Sequence, residues 1–283
     1  MNTRATPSGI TVVCLIGTSR CGSTVLQAAL AQFRDVAALG EIKRLRQLAD
    51  AHAVCGCGEP IERCPIWRDE VAGFLPQHGS RFRMAVNALA AAVGAPLLGT
   101  EARAAQSLGR TLKDIARKIP SRVFVDSSKD PDQLLLYMTL PDVVVIPVHV
   151  VRDPRGVVQS AGRRTGIAPG AMAKHWRRLN GATLALRRIA PRLPWHAITY
   201  EDFYRDPAGA CRAILRDAGH DGAMREQTAA QHTLGGSPGF SFAGTDSIHV
   251  EDAWRQTMPP DMQAAILRES GWPARHFGYR LQG

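Results

Sequence analysis

Residues 10–24 constrain the fold more than any other stretch of the chain. Thr11 to Ile16 is apolar and largely β-branched, Gly17 ends it, and from Ser23 a Leu/Ala/Gln-rich run suits a helix. The intervening Gly17-Thr18-Ser19-Arg20-Cys21-Gly22-Ser23-Thr24 carries two glycines five positions apart, followed by two hydroxyl residues. A glycine loop between strand and helix is the setting of a phosphate cradle. Backbone N–H groups at the helix start point into the loop, and the positive end of the helix dipole adds to their pull on an anion. In a nucleoside-triphosphate loop a lysine would follow the second glycine; here Ser23 takes that place and the cation is Arg20, inside the loop. The departure argues against a kinase or ATPase. Arg20 offers a planar fork to phosphate or sulfonate oxygens, and Ser23 and Thr24 offer hydroxyls, a scheme that does not call for Mg2+.

The same punctuation recurs downstream. Arg122 to Val125 reads as a short strand running into Asp126-Ser127-Ser128-Lys129, with Pro131 suited to a helix start. Val143 to Val151 is nearly all apolar, as a strand buried on both faces should be, although Pro147 interrupts its regularity; it breaks into Arg152-Asp153-Pro154-Arg155-Gly156 ahead of another helical stretch. Trp195 to Tyr200 is a fourth strand, followed by Glu201-Asp202-Phe203 and a helix opened by Asp206-Pro207. Alternation of this kind predicts an α/β fold: a mostly parallel central sheet with helices on both faces. All three polar loops then fall at the carboxyl edge of the sheet, where such folds bind ligands. Arg152 and Ser160, about two helical turns apart, could face one anion. Residues 41–121 are expected to form a largely helical insertion capping the site, and residues 219–283 a C-terminal capping region, within a single domain of 283 residues.

A formal charge of +10 favours a polyanionic partner, whether nucleic acid, anionic membrane or a phosphorylated small molecule. The basic residues are scattered arginines without zinc-finger spacing or interleaved aromatics, so nucleic acid is not expected to be a partner. The first apolar run, Ile10 to Ile16, is too short for a signal-peptide core, and no run approaches the roughly 18 apolar residues of a membrane span. A cytoplasmic protein is expected.

In combination, the phosphate loop, Gly40-Glu41, Asp126 to Lys129 with Asp130-Pro131, Val151-Arg152-Asp153-Pro154-Arg155 through Ser160, and Tyr200-Glu201-Asp202 resemble sulfotransferases that use 3'-phosphoadenosine-5'-phosphosulfate (PAPS). The resemblance runs from about Thr11 to Gly219 and is closest to bacterial members with motifs like those of tyrosylprotein sulfotransferases. It implies transfer of a sulfuryl group to the hydroxyl of a small molecule, carbohydrate, lipid or peptide. Ser19, Arg20, Cys21, Gly22, Ser23 and Thr24 would hold the 5'-phosphosulfate, and Arg152 with Ser160 the 3'-phosphate. Glu41 would act as general base, and Arg20 with Lys129 would stabilise charge at the leaving end. His149, His175 and His232 are rival bases, His149 being better placed as a core residue. A nucleotide kinase and a noncatalytic nucleic-acid binder are the competing readings. The loop from Leu234 to Gly244, with Ser237 and Phe240, is expected to close over the donor.

One cysteine-rich segment stands outside this scheme. His52, Cys55, Cys57 and Cys64 supply the three thiols and one imidazole that a closed zinc site needs, but Cys-x-Cys is an irregular spacing for such a site. Reduced thiols or a local disulfide are therefore expected, and no metal is assigned.

Overall fold

The computed structural model describes residues 9–75, 86–87, 89–91, 93–95, 97, 99–226, 231–236 and 250–281. Five parallel strands, β1 (Ile10–Ile16), β2 (Val36–Gly40), β3 (Val123–Lys129), β4 (Val143–Val151) and β5 (His196–Thr199), form one sheet in the order β2-β3-β1-β4-β5. Four of the five match expected strands. Edge strand β2, Val-Ala-Ala-Leu-Gly, was not anticipated, because it holds one β-branched residue and ends in glycine, so neither propensity nor alternation marks it. Pro147 lies inside β4 opposite Cys14, and the register with β1 continues through it.

Side chains alternate across the sheet, and each set has its own helices. Val12, Cys14 and Ile16 of β1 join Phe124 under α3 (Thr100–Lys118) and α4 (Pro131–Met138), whose Leu108, Leu112, Ile115 and Leu134 complete that core. Val13 and Leu15 face the other way, onto Leu26 and Leu30 of α1 (Ser23–Leu30) and Ile214 and Leu215 of α8 (Pro207–Asp217). The seam of α3 repeats at Ala104, Leu108, Leu112 and Ile115, and full burial of a leucine such as Leu112 contributes about 1.5–3 kcal/mol. A third cluster, with Val157, Trp176, Trp254 and Ile266, packs α5 (Pro154–Thr165), α6 (Pro169–Ile189), the short α9 (Trp254–Thr257) and α10 (Pro260–His276) together.

Three helices start with the same device. Asp130, Asp153 and Asp206 each precede a proline at the first helical position, and their carboxylates accept the backbone N–H of Asp132, Arg155 and Gly209 at 2.9, 2.9 and 2.8 Å. A proline has no N–H to lose there and its fixed φ suits the first turn, so chain direction is set sharply just past the strand ends.

Within the insertion, a 3-10 turn (Ile42–Arg44) and α2 (Leu45–Asp50) follow β2 directly. The described chain from 51 to 75 then runs in turns rather than helix, and Ile61 and Trp67 are buried against the α3 face of the sheet. Among the described residues, no helix is long and apolar enough to cross a membrane. Gly40 closes β2 at φ 77, where a Cβ would sit 2.2 Å from the carbonyl oxygen of Leu234. Gly40→Ala is expected to cost about 3 kcal/mol or more, through backbone strain plus overlap. Equilibrium denaturation measures it; an unchanged midpoint would mean that the Leu234 segment does not seat against β2.

Candidate active site

All five strands deliver their carboxyl ends to one edge, and the predicted site residues lie along it. The phosphate loop leaves β1 and turns into α1 at Gly22, whose φ of 97 is open to glycine and costly for other residues. A Cβ at Gly22 would lie 2.7 Å from the ring of Tyr200, the first residue of α7 (Tyr200–Arg205), so this aromatic forms the seat under the loop. Thr18, Cys21 and Ser23 are buried, whereas Ser19 is exposed at the rim. The Cys21 side chain is fully buried, and its N–H donates to the Thr18 carbonyl at 3.3 Å within the loop.

On the β2 side, Glu41 directly follows the strand and is only 7% exposed, which distinguishes it from a solvated helix-start carboxylate. Lys129 Nζ donates to Glu41 Oε1 and, at 3.1 Å, to the Ser127 carbonyl; Arg44 Nη1 donates to Glu41 Oε2 at 2.8 Å. Burial pushes the Glu41 carboxyl up, but the adjacent Lys129 and Arg44 outweigh it, and the group sits below the usual glutamate value. Its ionised form is therefore the resident one at neutral pH. Buried Asp126 positions Lys129: it accepts from Ser128 N at 2.7 Å, Ser128 Oγ at 2.6 Å and Tyr137 Oη at 2.6 Å, fixing the turn at the end of β3.

Lys129 and Arg20 both adopt left-handed backbone, φ 63 and 70. Such conformations cost about 1–3 kcal/mol in non-glycine residues and persist where surrounding structure imposes them, typically at functional sites. Asp35 and His52, outside these loops, share the conformation, so it does not by itself mark the two predicted cations.

On the β4 side, Arg152 is 4% exposed and lies over the Tyr200 ring at 4.1 Å. Its guanidinium donates to the Arg20 carbonyl at 3.2 Å and the Glu251 carbonyl at 2.6 Å. Arg20 Nε in turn donates to Ser160 Oγ at 3.0 Å. Arg152, just past β4, Ser160 on α5 and Arg20 thus form one cluster. Burial, and then repulsion from Arg164, Arg152 and Arg163, lowers the Arg20 pKa, a sign of concentrated positive charge that a bound anion would relieve. Arg155 has a different task. It is buried in a two-point pair with Asp153, at 2.9 and 2.7 Å, and stacks on Trp254 at 4.3 Å, tying α5 to α9. Glu201 completes the scaffold by accepting from Asp153 N at 3.1 Å and Tyr279 Oη at 2.9 Å.

A cleft of about 650 Å3 opens beside this edge, lined by Gly17, Ser19, Glu41, Lys129, Asp132 and His175 among others. A smaller hollow of about 330 Å3 around Gln106, Leu140 and Asp142 lies at the amino end of the sheet, away from the charged loops. Sequence reasoning had not singled out Arg44, Asp132 or Arg178, all of which line the cleft. The spacing of Arg44, three residues past Glu41 on a helical turn, was the available signal; for Arg178, supplied by α6 far along the chain, there was none. Burial and the neighbouring Asp130 push Asp132 up to about 6, so the charge of the cleft changes in the mildly acid range. Of the rival histidines, His175 lines the cleft, its pKa lowered by burial and by Arg178. His149 is a core residue bonded to Asn180 at 2.8 Å, with burial pulling it down to about 4. His232 does not line the cleft; its Nδ1 lies 3.3 Å from Cys64 Sγ. Ser237 and Phe240, expected near the donor, fall outside the described residues.

The parallel sheet, glycine loop and charged cleft at its carboxyl edge define a P-loop-like α/β fold. The chain belongs to the sulfotransferase family, whose profile matches residues 13–222. Two solved structures share the architecture. The sulfotransferase domain of the Synechococcus PCC 7002 olefin synthase superposes with a TM-score of 0.57 at 19% identity, covering 98% of this chain and 99% of that one. The sulfotransferase domain from the curacin biosynthetic pathway gives 0.50 at 15% identity, covering 97% and 99%. At these identities the likeness is one of fold. No curated protein sequence matches the chain.

Proposed function

We propose that this sulfotransferase takes PAPS as donor and moves its sulfuryl group in line to an acceptor hydroxyl, with Glu41 as the base. The observation that carries this reading is the buried Glu41–Lys129 ion pair on a cleft that also exposes the phosphate loop. A carboxylate held ionised beside an anion cradle is poised to accept a proton from an attacking hydroxyl. The new bond joins the acceptor oxygen to sulfur, the bond from sulfur to the bridging oxygen breaks, and adenosine 3',5'-bisphosphate departs with the electron pair. Lys129, from the side of Glu41, and Arg20, from the side of Ser160, favour the charge growing on the leaving phosphate, an electrostatic task for groups already in place. Ser19, Cys21, Gly22, Ser23 and Thr24 supply backbone and hydroxyl donors to that phosphate. Arg152 and Ser160 take the 3'-phosphate, the feature that separates this donor from ATP.

Thermal shift tests the donor directly. Adenosine 3',5'-bisphosphate at about a hundred times its dissociation constant should stabilise the protein by about 2.7 kcal/mol, a rise of roughly 4–5 °C for a chain of this size. Arg152→Ala should weaken that binding by about 10- to 150-fold, the value of a charge-assisted contact to phosphate. A shift with ATP and Mg2+ but none with the bisphosphate would instead favour the kinase reading, and a shift with oligonucleotide alone the nucleic-acid reading.

A further inference from the structure

The cysteine segment acquires a fourth partner in three dimensions. Cys55, Cys57, Cys64 and His232 bring one donor atom each to within 4.8 Å of one another, and all six cysteines of the chain are free thiols. Cys57 Sγ lies 3.8 Å from Cys64 Sγ, and Cys64 Sγ lies 3.3 Å from His232 Nδ1. A tetrahedral zinc with metal–sulfur bonds of about 2.3 Å and metal–nitrogen bonds of about 2.0–2.1 Å sets its ligands about 3.8 Å apart for two sulfurs and about 3.5 Å for sulfur and nitrogen. The two separations match that frame. His52, the imidazole nearest in sequence, is not part of it: its side chain is 86% exposed and pairs with Glu62.

The backbone around the sulfurs is held by its own hydrogen bonds. The chain turns tightly after Cys55, with Cys55 N donating to the Glu59 carbonyl at 2.8 Å and Gly58 N to the Cys55 carbonyl at 2.9 Å. The N–H of Cys57 is directed at the Cys55 sulfur, and those of Ile66 and Trp67 at the Cys64 sulfur. Trp67 Nε1 holds the His232 carbonyl at 2.7 Å, and Gly56 N holds the Thr233 carbonyl at 3.0 Å, so the imidazole is presented from a fixed strand of chain. A disulfide would use two of the three thiols and give no role to the third or to the imidazole.

We infer that Cys55, Cys57, Cys64 and His232 form a closed structural zinc site that clamps the Gln231–Gly236 segment to the insertion. Three thiolates and one imidazole fill a tetrahedral shell and leave no open position for catalysis. Its influence on the active site would be mechanical: Leu234 N bonds to Leu39 O at 2.9 Å, Glu41 N bonds to Leu234 O at 2.7 Å, and Gly235 lies against the Glu41 carboxylate. A metal 168 residues along the chain from Cys64 to His232 would therefore fasten the segment on which Glu41 rests. The site does not depend on the identity of the donor or the acceptor.

The full chain, purified under reducing conditions without chelator, tests this by metal analysis. One zinc per chain is expected, together with visible d–d bands of a tetrahedral thiolate complex after exchange for cobalt. Chelator should lower Tm, and added zinc should restore it. Cys57→Ser, at the half-buried edge of the cluster, and His232→Ala should each lower zinc affinity by at least tenfold, while His52→Ala should leave it unchanged. If the reduced wild-type protein neither carries zinc nor takes up added zinc, with all its thiols still reacting as freely in the presence of the metal, the site does not exist. Full zinc content and unchanged affinity in both the Cys57 and His232 variants would equally overturn it.

Discussion

Glu41→Gln is expected to lower kcat by about 10²–10⁴-fold, the range that a positioned general base supplies. Glutamine keeps the shape of the side chain and an oxygen for the Arg44 guanidinium, which donates to Glu41 at 2.8 Å. What it loses is the capacity to take a proton. Removing a negative charge from the edge of an anion cradle should also tighten the bisphosphate, or leave its affinity unchanged. This split separates a base from a merely structural carboxylate, whose loss would depress turnover, ligand binding and Tm together. The acid limb that Glu41 contributes to the wild-type rate profile should fall below the ordinary glutamate value of about 4.3, because Glu41 is held below that value. The variant should show no acid limb from this residue. Turnover within tenfold of wild type, measured with labelled donor over a panel of hydroxyl acceptors, would remove Glu41 from the role.

The parts of this site that could be read from the sequence share one property: they are continuous in the chain. The glycine loop, the Asp-Pro helix starts and the Arg152–Ser160 spacing are local patterns in which backbone geometry follows from residue type over a few positions. The sheet was legible for the same reason wherever a strand was apolar and β-branched. It failed at Val36–Gly40, where alanine and glycine carry no such signal and pairing to β3 decides the structure. Contacts between distant segments were out of reach. No spacing rule brings His232 to Cys64 or sets the Tyr200 ring under Gly22, and the exposed His52 was nominated as fourth ligand only because it was near in sequence. Charge pairing occupied an intermediate position. Glu41 and Lys129 were each named from the resemblance, but their mutual neutralisation, and the left-handed backbone that presents Lys129, come from the parallel pairing of β2 with β3 and the hydrogen bonds of Asp126.

Lys129→Met carries the second large effect, and it tests that pairing from the other side. Loss of a preorganised cation at the leaving phosphate should lower kcat by about 10²–10³-fold. Lys129 is also the strongest of the influences holding the Glu41 carboxyl down against burial. Without it burial gains the upper hand, the Glu41 pKa rises, and the acid limb of the rate profile moves to higher pH. Stability follows the same linkage. In the wild type the depressed Glu41 contributes stability that is fully present above its unfolded-state value and is lost as pH falls through the folded one. In the variant the buried carboxylate keeps only Arg44 as partner, which should cost less than the about 3–5 kcal/mol of a fully stranded charge at neutral pH, and acidification should recover part of it by protonating Glu41. The double variant Glu41→Gln, Lys129→Met should then be no less stable than Lys129→Met at pH 7, since the stranded charge is gone, and its kcat should lie well above the product of the two single losses. Strictly additive losses in the double variant, with an acid limb in Lys129→Met unchanged from wild type, would show that the two side chains act independently and that their contact plays no part in holding the base ionised.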